Sequence, residues 1–231
     1  MRIIGLLGGM SWESSIEYER LINRAIREEL GGSSSADLII RSFNFEEIAQ
    51  LQAADKWFEA GQLLADAAAN LQSAGAEAIL ICANTMHVLA DQVEAAISVP
   101  FLHVGDAVGE AALRSGVKRV LLLGTRYTME KDFYKERLIT KFDLEVTVPD
   151  QEQRDEIHRI IYQELVRGVI NPTSHKYLTE LIYGYVALGI EGVIAGCTEI
   201  ELLVKAPDVS VAFFPTTQLH SQAAVNFALG S

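Results

Sequence analysis

The chain has 231 residues, 49% of them hydrophobic, and a formal net charge of −12 from 19 Lys and Arg against 31 Asp and Glu. Affinity for nucleic acid needs basic side chains that neutralise phosphates, and the basic residues here are scattered apart from small groups such as Lys135-Glu136-Arg137, which excludes nucleic acid as a partner. No apolar run approaches the roughly 20 residues that cross a bilayer, so no membrane partner is expected, and two cysteines are too few for a disulfide framework and fit a reducing compartment.

The length allows one large or two small domains with real cores. The first residues lack the long apolar stretch of a signal peptide, which makes the expected location cytoplasmic. Residues 3–7 read as a strand that runs into Gly8-Gly9, and a helix follows from about Trp12 to Leu30, with Gly31-Gly32 as its stop. A sharp turn of this kind with exposed N–H groups suits a carboxylate or phosphate. Its spacing matches neither Gly-x-Gly-x-x-Gly nor a P-loop, so no nucleotide site is expected. Leu63, Leu64, Ala67, Ala68, Leu71 and Ala74 then recur at helical spacing before Gly75, a residue suited to end a helix. The apolar run 78–81 reads as a strand and leads into Ile81-Cys82-Ala83-Asn84-Thr85-Met86-His87. Neighbours in an extended segment point to opposite faces. Cys82 is therefore expected to look into the sheet packing as a small buried apolar residue, with the Ala83 methyl on the other side. His87 is expected to bond a neighbouring backbone group, and His103 to be a core residue.

From Pro100 the pattern restarts. A short strand at 101–104, a helix at 106–115 and a strongly apolar strand at 119–123 lead into Gly124-Thr125. Helices near 129–141, 151–166 and 174–188 follow, with a strand at 144–148 and Pro172 before the last helix. That helix shows Leu178, Leu181, Ile182, Tyr185 and Leu188 at helical spacing and ends at Gly189. The run 192–195 then leads into Gly196-Cys197-Thr198-Glu199-Ile200, and a strand at 209–214 and a helix at 217–229 close the chain. Strands that alternate with helices indicate parallel sheets covered on both faces, with ligands beyond the carboxyl ends of the strands. Periodicity alone fits one doubly wound domain as well as two. The halves read alike, each with a cysteine where a strand gives way to a helix, and unpaired N–H groups there favour a thiolate. The five histidines show no zinc-like spacing with either cysteine, so no metal is expected.

Four motifs in order resemble the aspartate/glutamate racemase family nearly end to end: Gly5-Leu6-Leu7-Gly8-Gly9-Met10-Ser11-Trp12-Glu13-Ser14, Asn84-Thr85-Met86-His87, Leu122-Leu123-Gly124-Thr125-Arg126-Tyr127-Thr128-Met129 and Cys197-Thr198-Glu199. The likeness is nearest to the bacterial broad-specificity or L-amino-acid-preferring subgroup. It implies two similar three-layer α/β domains with parallel sheets, residues 1–99 plus 209–231 and residues 100–208, with the active site in the cleft between them. It also implies a homodimer, a small-molecule amino acid or dicarboxylate as partner, and racemisation of aspartate, glutamate or a broader set of amino acids by thiol-based proton transfer, with no cofactor and no pyridoxal phosphate.

Carried over by motif, Cys197 is one base. Asn84, Thr85 and Thr198 hold the α-carboxylate, Glu199 receives the α-ammonium or orients Cys197, Met10 and Gln52 line the cleft, and Thr125 belongs to the fourth turn. In the family a cysteine, or in the subgroup a threonine, stands immediately before Asn-Thr. Here Ala83 holds that first-base position and the base is absent, which points to slow or lost turnover. Aspartate-preferring relatives carry a basic residue near the stretch that corresponds to residues 44–52. None stands here, so Arg126, Arg159 and Lys131 are the candidates for a distal group. Pro215 replaces an aspartate that relatives show before a threonine, which removes a hydrogen-bonding group near the domain junction. Two alternatives remain beside the racemase: a non-catalytic amino acid or dicarboxylate binding protein of the same fold, and a one-cysteine decarboxylase of substituted malonates from the same superfamily.

Overall fold

The computed structural model describes residues 1–230, which divide into two compact units: Met1–Val104 with the chain from His220 onward, and Gly105–Leu219. In the first unit β1 (Ile4–Gly8) lies between β2 (Leu38–Ser42) and β3 (Ala78–Ile81), and β4 (Phe101–Leu102) pairs with β3. All pairings are parallel, with Ile4 in register with Leu38 on one side and Ala78 on the other. Every residue of β1 and β3 is buried, as central strands of a parallel sheet covered on both faces must be.

Helices α1 (Trp12–Leu30), α2 (Phe45–Ala53), α3 (Trp57–Ser73) and the short α4 (Ala90–Ala95) cover the first sheet together with the C-terminal helix. Alternation along the strands divides its core in two. Leu7, Ile79 and Ile81 pack with Ile48, Leu64, Ala68 and Met86, while Ile4, Leu6, Ala78 and Leu80 pack with Tyr18, Ile22 and Ile26 of α1 and with Ala224, Val225 and Ala228. The α3 stripe is Leu64, Ala67, Ala68 and Leu71; Leu63, expected in it, is 42% exposed.

The second unit repeats the plan. After α5 (Val104–Arg114) come β5 (Arg119–Gly124), α6 (Arg126–Glu130), α7 (Asp132–Phe142), β6 (Glu145–Thr147), α8 (Gln151–Gln163), α9 (Pro172–Ala187), β7 (Gly192–Gly196), α10 (Ile200–Leu203) and β8 (Ala212–Pro215), while the C-terminal helix α11 (Thr216–Leu229) starts in this unit and from His220 belongs to the first. The strand order is β6-β5-β7-β8, the same permutation as β2-β1-β3-β4, and again all parallel. Its core joins Leu121, Leu123, Val193 and Ala195 to Ile157, Ile160 and Ile161 of α8 and to Leu178 and Ile182 of α9.

Three expectations change. Residues 38–42 form a strand that the sequence reading passed over, because an edge strand with partly exposed and exposed positions carries no buried run. The helix expected at 129–141 is two helices, separated by Lys131 in extended backbone (φ −74°, ψ 144°). The unit boundaries also differ from 99/100 and 208/209. Phe101–Leu102 completes the first sheet by pairing with Ile79 and Leu80, and Ala212–Pro215 completes the second by pairing with β7, so each sheet keeps the strand that follows its own third one.

Candidate active site

The four motif turns all follow the carboxyl ends of strands, β1 and β3 in the first unit and β5 and β7 in the second. In the first turn Gly9 has φ 85°, and a Cβ there would collide with the Phe43 backbone, so glycine is required for close packing. Its N–H donates to Ser15 Oγ at 2.7 Å, and Ser15 Oγ donates to the Ser11 carbonyl at 3.0 Å. That N–H is spent inside the turn, which corrects the expectation that it is open to an anion. Ser11 caps α1 by accepting from the Ser14 N–H.

Met10 and Ala83 are buried in the same apolar cluster, and Gln52 joins them through its Nε2, which donates to Met86 Sδ at 3.0 Å. Met10, Gln52 and the Ala83 turn are thus brought together within one unit. Cys82 lies on the opposite face among Leu6, Tyr18, Ile22, Leu80 and Val225. Burial pushes its thiol far up, so it stays protonated and inert. Asn84 is buried and Thr85 half-buried. They open a 3-10 segment, Thr85–Leu89, followed by the six-residue α4, so a long helix does not add its dipole to this turn.

His87 locks the turn from below. Its Nδ1 donates to the Ala83 carbonyl at 2.8 Å, and its Nε2 accepts from the Val104 N–H at 3.2 Å. Those two bonds assign the neutral tautomer. Burial first, then the neighbouring His103 and His220 rings, hold its pKa well below that of an ordinary histidine. His220 continues the network, accepting at Nδ1 from the Tyr18 hydroxyl and donating from Nε2 to the Leu102 carbonyl.

In the second unit Gly124 of β5 is in register with Gly196 of β7. Thr125 and Cys197 therefore stand one residue past a matched pair on adjoining strands. A Cβ on Gly124 would lie 2.9 Å from the Gly196 carbonyl oxygen, so the close spacing of the two turns depends on the missing side chain. Thr125 is engaged as the N-cap of α6, its Oγ1 accepting from the Thr128 N–H.

Cys197 is almost fully buried. Its Sγ donates to Glu199 Oε2 at 2.9 Å, and Thr198 Oγ1 donates to the same oxygen at 2.6 Å. Burial above all, then the Glu199 charge and its hydrogen bond, hold the Cys197 thiol well above its usual pKa, while the backbone N–H groups of Glu199 and Ile200 pull the other way and lose. This reverses the expectation of a favoured thiolate. The helix that follows has only four residues, and a carboxylate sits beside the sulfur. Without ligand, Cys197 is a thiol.

Tyr162, which the sequence reading did not single out, packs against the cluster that holds it. The Tyr162 phenol is raised by burial, then by Cys197, Tyr127 and Glu199, and lowered by Arg126, which places its hydroxyl within electrostatic reach of all four. The His158 ring lies 4.5 Å from the Tyr162 ring and 6.2 Å from that of Tyr127, and His158 Nδ1 accepts from the Arg126 backbone N–H at 3.3 Å. The only sequence signal for this group was the four-residue spacing of His158 and Tyr162, one face of a helix. Of the cations considered for a distal group, Arg159 is taken: its guanidinium bonds both carboxylate oxygens of Glu156 and one of Glu164. Arg126 is exposed. Among the described residues, no three His, Cys, Asp or Glu side chains are grouped so as to hold a metal, and no helix is long and apolar enough to cross a membrane.

Comparison with known proteins adds the context. The sequence model of a family described as Asp/Glu/Hydantoin racemase matches residues 7–224. A Yersinia pestis protein whose crystal structure is described as that of a candidate Asp/Glu racemase is 49% identical, with a TM-score of 0.95 over 99% of this chain and 100% of that one. A Pyrococcus horikoshii protein described as an aspartate racemase homologue is 40% identical, with a TM-score of 0.88 over 99% and 100% of the two chains. A broad-specificity amino-acid racemase of Bacillus subtilis is 22% identical over 149 residues, a match that spans 63% of this chain and 62% of that protein.

Proposed function

Because the chain belongs to the Asp/Glu/Hydantoin racemase family, we propose that it is an amino acid racemase that moves the α-proton through Cys197, without pyridoxal phosphate, on aspartate, glutamate or a broader set of amino acids. The observation that supports this most is the thiol–carboxylate pair of Cys197 and Glu199. Inversion requires removal of a weakly acidic proton from one face of the α-carbon and return of a proton to the other. The resting thiol is the acid form, ready to deliver its proton to a carbanion. As base it must first ionise, and an α-ammonium at Glu199 supplies the positive charge that offsets the carboxylate and lowers the thiol pKa. Asn84, Thr85 and Thr198 are the proposed donors to the α-carboxylate, where charge develops as the proton leaves. Arg126 is the proposed contact for a distal carboxylate. Two free, buried cysteines fit a reducing compartment, and the cytoplasm is the proposed location.

A second reading, binding without turnover, is favoured by position 83. Ala83 offers no proton carrier, and His87 beneath it has both ring nitrogens committed. Deuterium incorporation at the α-carbon, followed by proton NMR in heavy water with each enantiomer of aspartate, glutamate and several neutral amino acids, decides between them. Exchange that depends on Cys197 and outruns inversion is the expected result. Tight binding with no exchange of any of them would establish the binding protein instead.

A further inference from the structure

The segment 195–201, with Cys197 inside it, is tied at both ends to the first two residues of α11. At its start Thr216 Oγ1 donates to the Ala195 carbonyl at 2.8 Å. At its end the Thr217 N–H donates to Glu201 Oε1 at 2.8 Å, and Thr216 Oγ1 lies 3.4 Å from the same oxygen. Thr216 and Thr217 are fully buried and Glu201 is 9% exposed. A helix leaves its first N–H groups open and favours negative charge there. α11 has 14 residues, and Pro215 before it has no side-chain acceptor. Glu201, 14 positions back along the chain, supplies that acceptor.

The surroundings make this an unusual cap. The buried phenol of Tyr134 from α7 is close enough to feel the Glu201 charge, and Lys205, just past α10, donates from Nζ to the Glu201 backbone carbonyl. Burial pushes the Glu201 carboxyl up to about 7, against the opposing pull of the Thr217 and Thr216 bonds and of the Lys205 charge. The group therefore changes charge across the neutral range. Around Cys197 itself the charged or titratable neighbours are Glu199 and Tyr162, and Tyr162 in turn feels Tyr127 and Arg126.

We propose that Glu201 is a positioning residue for Cys197, whose carboxylate holds the thiol-bearing turn against the start of α11 and slackens that hold when it takes up a proton. A charged acceptor bonds an N–H about twice as strongly as a neutral one. The turn is thus firmest with Glu201 ionised, and the fraction of time Cys197 spends in its working position rises with pH through neutrality. This rests on Cys197 being the reacting thiol.

The test is the rate of alkylation of Cys197 by iodoacetamide between pH 5.5 and 9, read by peptide mass in the full chain, together with the pH profile of α-proton exchange. The wild-type rate should show a step of about threefold to tenfold near pH 7, below the rise due to the thiol itself. Glu201→Gln keeps an oxygen for the Thr217 N–H but cannot ionise, so the step should vanish, with kcat at pH 8 reduced about fivefold and KM changed less than twofold. Thr216→Val keeps the side-chain shape but removes the hydroxyl that lies 3.4 Å from Glu201 Oε1 and pulls its pKa down, and should move the step to higher pH. A step that persists unchanged in both variants overturns the proposal. Alkylation reads the thiol whether or not an amino acid is turned over, so absent exchange with a normal step defeats the racemase assignment alone.

Discussion

Cys197 and Cys82 share burial but not chemistry, because a carboxylate and two backbone N–H groups reach the first, whereas only hydrocarbon and sheet surround the second. Replacement of Cys197 by alanine should lower α-proton exchange by about 10²- to 10⁴-fold, the range of a lost general acid–base, with ligand affinity changed much less. Cys82→Ala should leave exchange within twofold and cost about 1 kcal/mol of stability, as removal of one heavy atom from a closed core does. NMR exchange rates and urea titration check the pair. Equal loss of exchange from both would show that Cys82 also reaches substrate. The opposite facing of Cys82 and Ala83 was legible in the sequence, since alternation along an extended strand is a backbone property. The pKa of Cys197 was not, because it depends on where the Glu199 side chain turns, and motif spacing does not specify a rotamer.

The turn after β3 is held by an imidazole rather than by a helix. His87 is neutral in the folded chain, with its pKa well below 6.5. An unfolded histidine binds a proton below about 6.5, so this group contributes no pH dependence above that value and weakens the fold as pH falls below it, by up to about 1.4 kcal/mol per pH unit. Urea unfolding at pH 7.5, 6.5 and 5.5 should show the decline. His87→Gln should flatten it while lowering stability at pH 7.5 by roughly 1–3 kcal/mol, because the Val104 N–H or the Ala83 carbonyl loses its partner. Identical pH slopes in the two proteins would mean that other groups carry the effect. Elements were readable where burial was extensive: β1, β3, β5 and β7 as apolar runs, and α3 and α9 through their spacing. The exposed edge strand β2 and the break at Lys131 were not readable, because neither a half-solvated strand nor a single extended residue leaves a periodic signature.

Across the molecule the two sheets share one strand permutation, and the sequence showed the repeat through its paired glycines and cysteines. It did not show where the chain crosses from unit to unit, because β4 and β8 are short and their partners are set by packing rather than by composition. The net charge of −12 acts on all approaching ligands. A substrate with two carboxylates is repelled and a zwitterion is not, and screening shortens that repulsion to about 8 Å at physiological ionic strength. Raising salt from 10 to 150 mM should therefore lower KM for aspartate by about twofold to threefold and leave KM for a neutral amino acid unchanged. The same shift for both substrates would assign the salt effect to the fold instead.

The reversal of direction between residues 82 and 83 permits an unusual comparison. Exchanging the two letters, so that Cys82→Ala accompanies Ala83→Cys, gives a protein of the same composition, mass and charge, an isomer of the original with one sulfur carried from the Tyr18 side of the sheet to the Met10 side. With stability matched by the choice of temperature, a difference in turnover between the isomers reports where the sulfur stands. The transposed chain should invert substrate more nearly as fast as it exchanges the α-proton, since a second proton carrier then occupies position 83. If the two isomers invert at the same rate, the side of the sheet on which that sulfur stands has no bearing on the reaction.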